Sequence, residues 1–166
     1  MSHGPADLRT ARLRLRMIST QDVEAIARLS SDPRVNEHSP TGPPTLESAR
    51  QHALGFAEDW RRDGIGYWVI ERDGQIVGIA GVKLWELDGR ECWNLYYRFG
   101  PEVWGQGIAQ EVARTALQVA GELAPERPVV VRTRPTNRPA ARVATAVGMR
   151  RAAELDSGGF ITYVWP

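Results

Sequence analysis

Two closely spaced glycines in the middle of the chain are suited to binding an anion. Gly105 and Gly107 stand between a β-like aromatic segment, residues 95–99, and an amphipathic helical pattern that begins at Ile108. Glycine lacks a Cβ atom and accepts backbone angles that other residues avoid, so several amide N–H groups of the turn can face one ligand. The first turn of a helix adds unpartnered N–H groups and the positive end of the helix dipole. The amides of residues 105–109 are therefore predicted to bind a phosphate or pyrophosphate.

Other glycine-rich loops need residues that this one lacks. An ATPase or GTPase loop ends in Gly-Lys-Ser/Thr, whereas Ile108 and Ala109 follow Gly107 here. A dinucleotide loop has a third glycine or alanine where Gln110 stands, which argues against a nicotinamide oxidoreductase. A tight strand-to-helix turn without a ligand stays open as the simpler interpretation, because glycine is common in turns.

The elements that must position this loop are predicted to form a single α/β domain over residues 1–166, with residues 1–6 as a flexible tail. Turn signals at Asp73-Gly74 and Asp88-Gly89 separate apolar patterns that are typical of strands. The predicted strands are residues 12–17, 67–70, 75–85, 92–99, 129–131, 149–155 and 160–165. Apolar residues at helical spacing predict helices near residues 23–29, 45–62, 108–123 and 137–148.

Composition excludes several classes of protein. The 21 Lys and Arg residues nearly balance the 20 Asp and Glu residues, so a net charge of +1 provides no basic field for nucleic acid. The alternating Arg12, Arg14 and Arg16 are interpreted as a solvated sheet face. Cys92 is the single cysteine and the three histidines lack metal-ligand spacing, so neither a disulfide nor a metal site is predicted. With no apolar run of about 20 residues and no signal peptide, a cytoplasmic protein without membrane contact is expected.

Two motifs of the chain resemble those of the GNAT acetyltransferase superfamily. The segment PEVWGQGIAQE, residues 101–111, resembles the acyl-CoA pyrophosphate loop of that superfamily. Trp104 at the start of the loop is typical of the branch related to ribosomal-protein N-terminal acetyltransferases. A second motif of the superfamily follows the fifth strand of its fold. It is similar to a set of residues in this chain, Asn137, Ala140, Val143, Gly148 and Met149. Two motifs in the right order are more specific than either alone.

The resemblance implies a fold and an activity. The fold is the α/β GNAT fold, a mixed and mostly antiparallel seven-stranded sheet that is flanked by about four helices and splayed between strands 4 and 5. The activity is acetyl-CoA-dependent transfer of an acetyl group to a primary amine by direct attack in a ternary complex. The expected acceptor is a protein N-terminus or a small-molecule amine, and the expected state is a monomer or homodimer. The alternative is a catalytically silent acyl-CoA-binding or regulatory module on the same fold.

The resemblance also implies which residues contact the cofactor. The backbone of Tyr97, Arg98 and Phe99, on a strand that bulges in the family, is expected to pair with pantetheine and to donate an N–H to the thioester carbonyl. Asn137 is expected to contact the pantetheine or pyrophosphate region, although its type and place fit a helix N-cap equally well. Arg142, one turn after Arg138, would meet the CoA phosphates or stay a solvated charge. The loop residues expected at the pyrophosphate are Trp104, Gly105, Gln106, Gly107, Ile108 and Ala109.

Proton transfer has no obvious residue. Asn94 stands where relatives often carry glutamate, and an amide does not accept a proton. Ala144 stands where many relatives carry a tyrosine that acts as general acid. The other candidate bases are Glu91, three residues before Asn94, and Glu37 or His38 in the loop 31–44. A water-mediated base, or an acceptor α-amine with a pKa near 8, would lessen the need for one.

Overall fold

One mixed sheet of eight strands lies at the centre of the fold. The computed structural model describes residues 2–166, and its strands in chain order are β1 (Asp7–Arg9), β2 (Arg14–Met17), β3 (Trp68–Arg72), β4 (Gln75–Leu87), β5 (Arg90–Phe99), β6 (Val129–Thr133), β7 (Arg150–Arg151) and β8 (Ile161–Trp165). Across the sheet the order is β1-β2-β3-β4-β5-β6-β8-β7. Within the described range, β5 and β6 are the one parallel pair, and every other neighbouring pair is antiparallel.

Four helices cover the two faces of this sheet in the described part of the chain, and they are α1 (Val23–Ser31), α2 (Leu46–Asp63), α3 (Ile108–Leu123) and α4 (Arg138–Ala146). Local chemistry sets where they begin and end. The Thr45 hydroxyl accepts a hydrogen bond from Ser48 N at 3.1 Å and caps α2. Gly64 ends α2 with a φ of +67°, in the left-handed region that favours glycine.

The strands divide their side chains between two cores. Phe99 of β5 packs with α3 in the larger core, whereas Tyr96, three residues earlier on the same strand, packs with α1 and α2 residues in a second core. This alternation is the ordinary consequence of a pleated strand. Consequently α3 and α4 lie on one face of the sheet, and α1 and α2 lie on the other.

The sheet opens between β5 and β6. These strands pair at Trp93↔Val129 and Asn94↔Val130 and at no later residue of either strand. The predicted opening between strands 4 and 5 is thus confirmed. These two strands are β5 and β6 here, because the short β1 adds one strand before them. The bulge that the family shows in this strand is absent, since the register of β4 and β5 runs without a break from Gly78↔Phe99 to Leu87↔Arg90. The opening therefore comes from the divergence of β6.

Several boundaries differ from the sequence-based expectation. The sheet has eight strands instead of seven, because β1 has three residues, too few for alternation to be visible. The predicted strand 149–155 is a two-residue strand, β7, followed by a 3₁₀ turn at Ala153–Leu155. Within the predicted tail 1–6, Gly4 N donates to Gly64 O at 2.8 Å and Pro5 O accepts from Trp68 Nε1 at 2.8 Å. The chain is attached to the fold from Gly4 onward, and Met1 lies outside the described residues.

Candidate active site

A cleft of about 820 Å³ occupies the opening between β5 and β6. The end of β5, the glycine loop with the start of α3, the end of β6, the start of α4 and the α1–α2 loop all line it. The residues with predicted cofactor contacts that meet in this cleft are Tyr97, Arg98, Phe99, Trp104, Gly105, Gly107, Ile108, Ala109, Asn137 and Arg142. Of the predicted set, Gln106, Glu91 and Asn94 do not line it.

The glycine loop has the geometry of an anion cradle. Gly105 and Gly107 both have a φ of +73°, and Gly107 is the N-cap of α3. The first helical hydrogen bond runs from Glu111 N to Gly107 O at 3.1 Å, so the N–H groups of residues 108–110 have no partner inside the helix. A Cβ atom on Gly105 would meet nothing within 4 Å, and one on Gly107 would meet only Arg12 Nη2 at 3.7 Å. The backbone of the loop is therefore open to a ligand.

A brace from the β1–β2 turn holds this loop. Arg12 Nη1 donates to Gln106 O at 2.7 Å, and Arg12 Nε donates to the Glu111 carboxylate at 2.7 Å. Thr10 Oγ1 donates to the same carboxylate at 2.6 Å. Arg72 Nη1 binds the Gln106 side chain at 2.5 Å, which explains why Gln106 points away from the cleft.

The charge on Glu111 is stabilised by the brace. Burial acts to raise its pKa, but the hydrogen bonds from Thr10 and Arg12 outweigh burial and hold the pKa below its usual value. Arg12, predicted to belong to a solvated face, is instead an ion-pair partner of Glu111. Arg16 on β2 is likewise paired, with Asp22 and Glu71. The pairs with Glu111 and Glu71 join residues more than fifty positions apart, which strand alternation does not reveal.

Glu111→Gln is expected to weaken CoA binding about 3- to 10-fold, because the glycine loop loses its charged anchor. A carboxyl with a lowered folded-state pKa stabilises the fold above its unfolded pKa and loses that contribution as pH falls through the folded pKa. The Tm difference between wild type and Glu111→Gln should therefore be present at neutral pH and shrink below the usual glutamate value of 4.5. Glu122→Gln, at the exposed end of α3, is the control. If the Tm difference between wild type and Glu111→Gln stays constant down to about pH 3, the charge of Glu111 does not stabilise the fold.

The free edge of β5 faces the opening. Trp93 N donates to Pro128 O at 2.8 Å on the β6 side, and Phe99 O accepts from Trp104 Nε1 at 2.8 Å. Backbone groups alternate between the two edges of a strand, so the N–H and C=O of Tyr97 lie on this same edge. The amide of Arg98 instead points to β4, where Arg98 is paired with Ile79. Arg98 is nevertheless among the residues that line the cleft.

The start of α4 forms the opposite wall. Asn137 Oδ1 accepts a hydrogen bond from Ala140 N at 3.2 Å, which confirms its predicted capping role. Tyr97 Oη donates to Ala140 O at 2.7 Å and so ties β5 to the first turn of α4 across the opening. Burial raises the pKa of Tyr97, which keeps the phenol protonated at neutral pH. Arg142 lies on the exposed side of the same helix.

The candidate catalytic residues are widely separated. Glu91 is exposed and paired with Arg127 at 2.9 Å, about 20 Å along β5 from Tyr97 at strand spacing. The Asn94 amide donates to the buried Tyr67 hydroxyl at 2.5 Å, on the α1–α2 side of the sheet. Ala144 is fully buried in the core. Glu37 and His38 are the predicted proton acceptors that line the cleft.

Sequence patterns missed several residues of the cleft. Arg132 and Arg134 at the end of β6 and Phe160 before β8 lie in its wall, and Arg34 lies in the α1–α2 loop. Arginines that follow an apolar strand look like solvent-facing charges, so no local signal distinguishes them. Groups of His, Cys, Asp and Glu suited to a metal ion are absent from residues 2–166. None of the helices in that range has both the length and the apolar character needed to cross a bilayer.

The fold of this chain matches that of solved acetyltransferase structures. The chain superposes on an acetyltransferase from Agrobacterium tumefaciens with a TM-score of 0.84 and 24% identity, over 100% of this chain and 97% of the other. It also resembles RimL, a ribosomal L7/L12 alpha-N-protein acetyltransferase solved with coenzyme A, with a TM-score of 0.75 and 17% identity over 97% and 96% of the two chains. These superpositions show that the chain shares its fold with solved acetyltransferases.

The sequence comparisons agree with this class. The family model described as "Acetyltransferase (GNAT) domain" matches residues 12–150, and the chain belongs to this family of acyltransferase enzymes. The Bacillus subtilis protein YkkB is 26% identical over 84% of this chain and 83% of its own length. YnaD of the same organism, an uncharacterized N-acetyltransferase, is 27% identical over 86% of this chain and 81% of its own length.

Proposed function

We propose that this chain is an acetyl-CoA-dependent N-acetyltransferase that transfers the acetyl group to a primary amine by direct attack in a ternary complex. The observation that carries the proposal is the single cleft in which an anion-binding loop, a free strand edge and the α1–α2 loop meet. Such a cleft can hold a long thioester at one end and admit an amine at the other. Membership of the GNAT acetyltransferase family supports the same reaction.

The diphosphate of CoA is proposed to bind the glycine loop. The N–H groups of residues 108–110 have no partner inside the helix, and the α3 dipole favours negative charge there. Trp104 is 48% exposed beside the loop and offers an aromatic surface to the cofactor. Arg142, with Arg138 one turn before it, supplies positive charge on the α4 side. Asn137 contacts the cofactor from the same helix start while it caps α4.

The pantetheine arm is proposed to extend along the free edge of β5. Its amide groups match the N–H and C=O of Tyr97 and the N–H of Phe99, as an added strand would. Phe99 O is already occupied by the Trp104 indole, so it is not part of this pairing. Where the arm ends, an N–H of this edge donates to the thioester carbonyl and stabilises the oxyanion that forms during attack.

The reaction requires a neutral amine and a protonated leaving group. The amine nitrogen forms a bond to the acetyl carbon, the C–S bond breaks, and the CoA thiolate takes up a proton. Glu37 and His38 in the α1–α2 loop are the proposed proton acceptors, acting directly or through water. The phenols of Tyr96 and Tyr97 stay protonated, because burial raises the pKa of both. They are suited to donating hydrogen bonds and not to removing a proton.

The acceptor class that the relatives suggest is broad. RimL acts on a protein α-amine according to its description, and a protein N-terminus is therefore one candidate acceptor for this chain. A small-molecule amine is the other. We expect the enzyme to act in the cytoplasm, as a monomer or a homodimer, without a metal ion.

Thiol release from acetyl-CoA with a panel of primary amines tests the proposal. Turnover is expected with at least one amine, with kcat/KM rising with pH towards the pKa of that amine. The double variant Glu37→Gln/His38→Gln is expected to lose about 100-fold in kcat/KM at neutral pH and little above the amine pKa, because free amine then needs no base. His52→Gln, on the exposed surface of α2, is the matched control.

Two outcomes would contradict different parts of the proposal, the reaction in one case and the proton acceptors in the other. Tight CoA binding without thiol release from any amine at any pH would favour the catalytically silent acyl-CoA-binding module. Turnover that is unaffected by the Glu37→Gln/His38→Gln variant would keep the reaction and remove the α1–α2 loop from proton transfer.

A further inference from the structure

The two faces of the opened sheet differ in their side chains. Phe99 of β5 packs with α3, whereas Tyr96 packs with residues of the α1–α2 side. Val130 of β6 packs with an even-numbered residue of β5, so the even-numbered residues of the two strands share a face. Arg98 and Arg132 therefore lie on the α1–α2 face, on either side of the opening. The helix that follows the glycine loop lies on the other face.

This side of the cleft carries positive charge that the protein leaves unpaired. Five arginines line the cleft, against a single carboxylate, that of Glu37. Arg142 lies on α4 near the proposed CoA phosphates, and Arg34 is paired with Asp32 at 2.7 Å. The remaining arginines have no carboxylate within ion-pair distance among residues 2–166, and they are Arg98, Arg132 and Arg134.

Neutral groups accept the hydrogen bonds of two of these arginines, and the Asp156 carboxylate interacts with Arg132 only through space, beyond ion-pair distance. Arg132 Nη2 donates to the carbonyl and hydroxyl oxygens of Ser157 at 2.6 and 2.7 Å, and Arg134 Nη1 donates to Gly158 O at 3.0 Å. Their guanidinium carbons lie 4.9 and 3.9 Å from the centre of the Phe160 ring. The Nε of Arg132 is buried and has no hydrogen-bond partner within the described residues. A buried donor of this kind normally has an acceptor.

Arg98 lines the same cleft from β5. Its guanidinium carbon lies 5.7 Å from the centre of the Tyr96 ring, and its side chain makes no hydrogen bond or ion pair within residues 2–166. A concave site with low-dielectric walls concentrates the field of such charges. Polycationic amines would be repelled from this wall, because like charges in a cleft cost binding energy.

We propose that the amine acceptor carries an anionic group, a carboxylate or a phosphate, that binds Arg98, Arg132 and Arg134. This inference rests on the proposed N-acetyltransferase function. The planar guanidinium fork matches both oxyanions and binds them through paired hydrogen bonds. The CoA diphosphate does not fulfil this role, because its proposed cradle is at the start of α3, on the opposite face of β5.

Matched pairs of amines test the inference. The probes are β-alanine against β-alaninamide for a carboxylate, and 2-aminoethyl phosphate against ethanolamine for a phosphate, with spermidine as a polycation. Calorimetry on the CoA-loaded protein measures binding, and thiol release measures kcat/KM. The anionic member of at least one pair is expected to bind at least 10-fold more tightly, and the better pair identifies the oxyanion. The neutral members have the lower amine pKa, so amine reactivity alone would favour them.

Two variants and a control locate the effect. Arg98→Gln and Arg132→Gln should each reduce the anion preference to less than about 3-fold, mainly through KM, and leave CoA affinity unchanged. Arg90→Gln is the control, because it changes an exposed arginine on the same strand, eight residues before Arg98 and beside the β4–β5 turn. It should alter neither the anion preference nor the CoA affinity. Thermal unfolding of each variant checks that it is folded.

The results distinguish a failure of the anion site from a failure of the proposed N-acetyltransferase function. Equal binding and turnover of both members of each pair, or a preference for spermidine, would overturn it while thiol release upholds the N-acetyltransferase. A loss of CoA affinity in Arg98→Gln and Arg132→Gln would also overturn it, because the arginines would then serve the cofactor. Anion-selective binding without turnover of any amine would sustain the anion site and reject the N-acetyltransferase.

Discussion

Replacing Gly107 with glutamate is expected to weaken CoA binding by at least about 100-fold, which corresponds to roughly 2.7 kcal/mol. The substitution places a carboxylate at the N-cap of α3, next to the amides that are proposed to hold the diphosphate. Negative charge at that point repels the phosphates and takes the place of the ligand at the helix dipole. Isothermal calorimetry with CoA and with acetyl-CoA measures the effect.

The backbone at Gly107 makes a control necessary. Its φ of +73° strains any other residue, by about 1–2 kcal/mol, so a loss of stability is expected together with the loss of binding. Gly89 has a φ of +75° in the β4–β5 turn, and a Cβ there would also meet nothing within 4 Å. Gly89→Glu thus introduces the same residue and similar strain far from the cleft. Two results would show that the loop does not bind the cofactor. One is an equal loss of CoA affinity in both variants, and the other is unchanged CoA affinity in folded Gly107→Glu.

Trp93→Ala is expected to destabilise the fold by about 3–5 kcal/mol and to lower Tm by roughly 10 °C or more. Trp93 is 0% exposed and lies at one of the two positions where β5 still pairs with β6. Truncation leaves a cavity at the base of the opening, where the surrounding strands cannot collapse without losing that pairing. Differential scanning calorimetry measures the change.

Two other tryptophan variants separate burial from residue type. Trp104→Ala removes a side chain that is 48% exposed, so its Tm should change by a few degrees at most while its CoA affinity falls. Trp93→Phe should recover most of the lost stability, because the buried Trp93 Nε1 has no hydrogen-bond partner within residues 2–166 and the substitution breaks no hydrogen bond. Equal Tm values for Trp93→Ala and Trp104→Ala would contradict this account of the opening.

Local sequence signals predicted most of the fold. The Thr45 and Asn137 caps, the Asp73-Gly74 hairpin and the αL glycine at Gly107 depend on the backbone angles and hydrogen bonds of a few neighbouring residues. Signals of this kind can be recognised without knowledge of the rest of the chain. The strand β1 was missed because three residues are too few to establish a period.

The sequence by itself therefore determined the strand order along the chain, the glycine loop and the family resemblance, all of which depend on contiguous residues. Only the tertiary structure decided which charged residues meet the cleft. Arg12 reaches a loop more than ninety positions away, and Glu91 turns out to be paired with Arg127 outside the cleft. Arg98 and Arg132 line one cleft from two strands only because β6 diverges from β5 after Val130. The direction of a strand in space depends on packing against distant elements, and no local pattern records it.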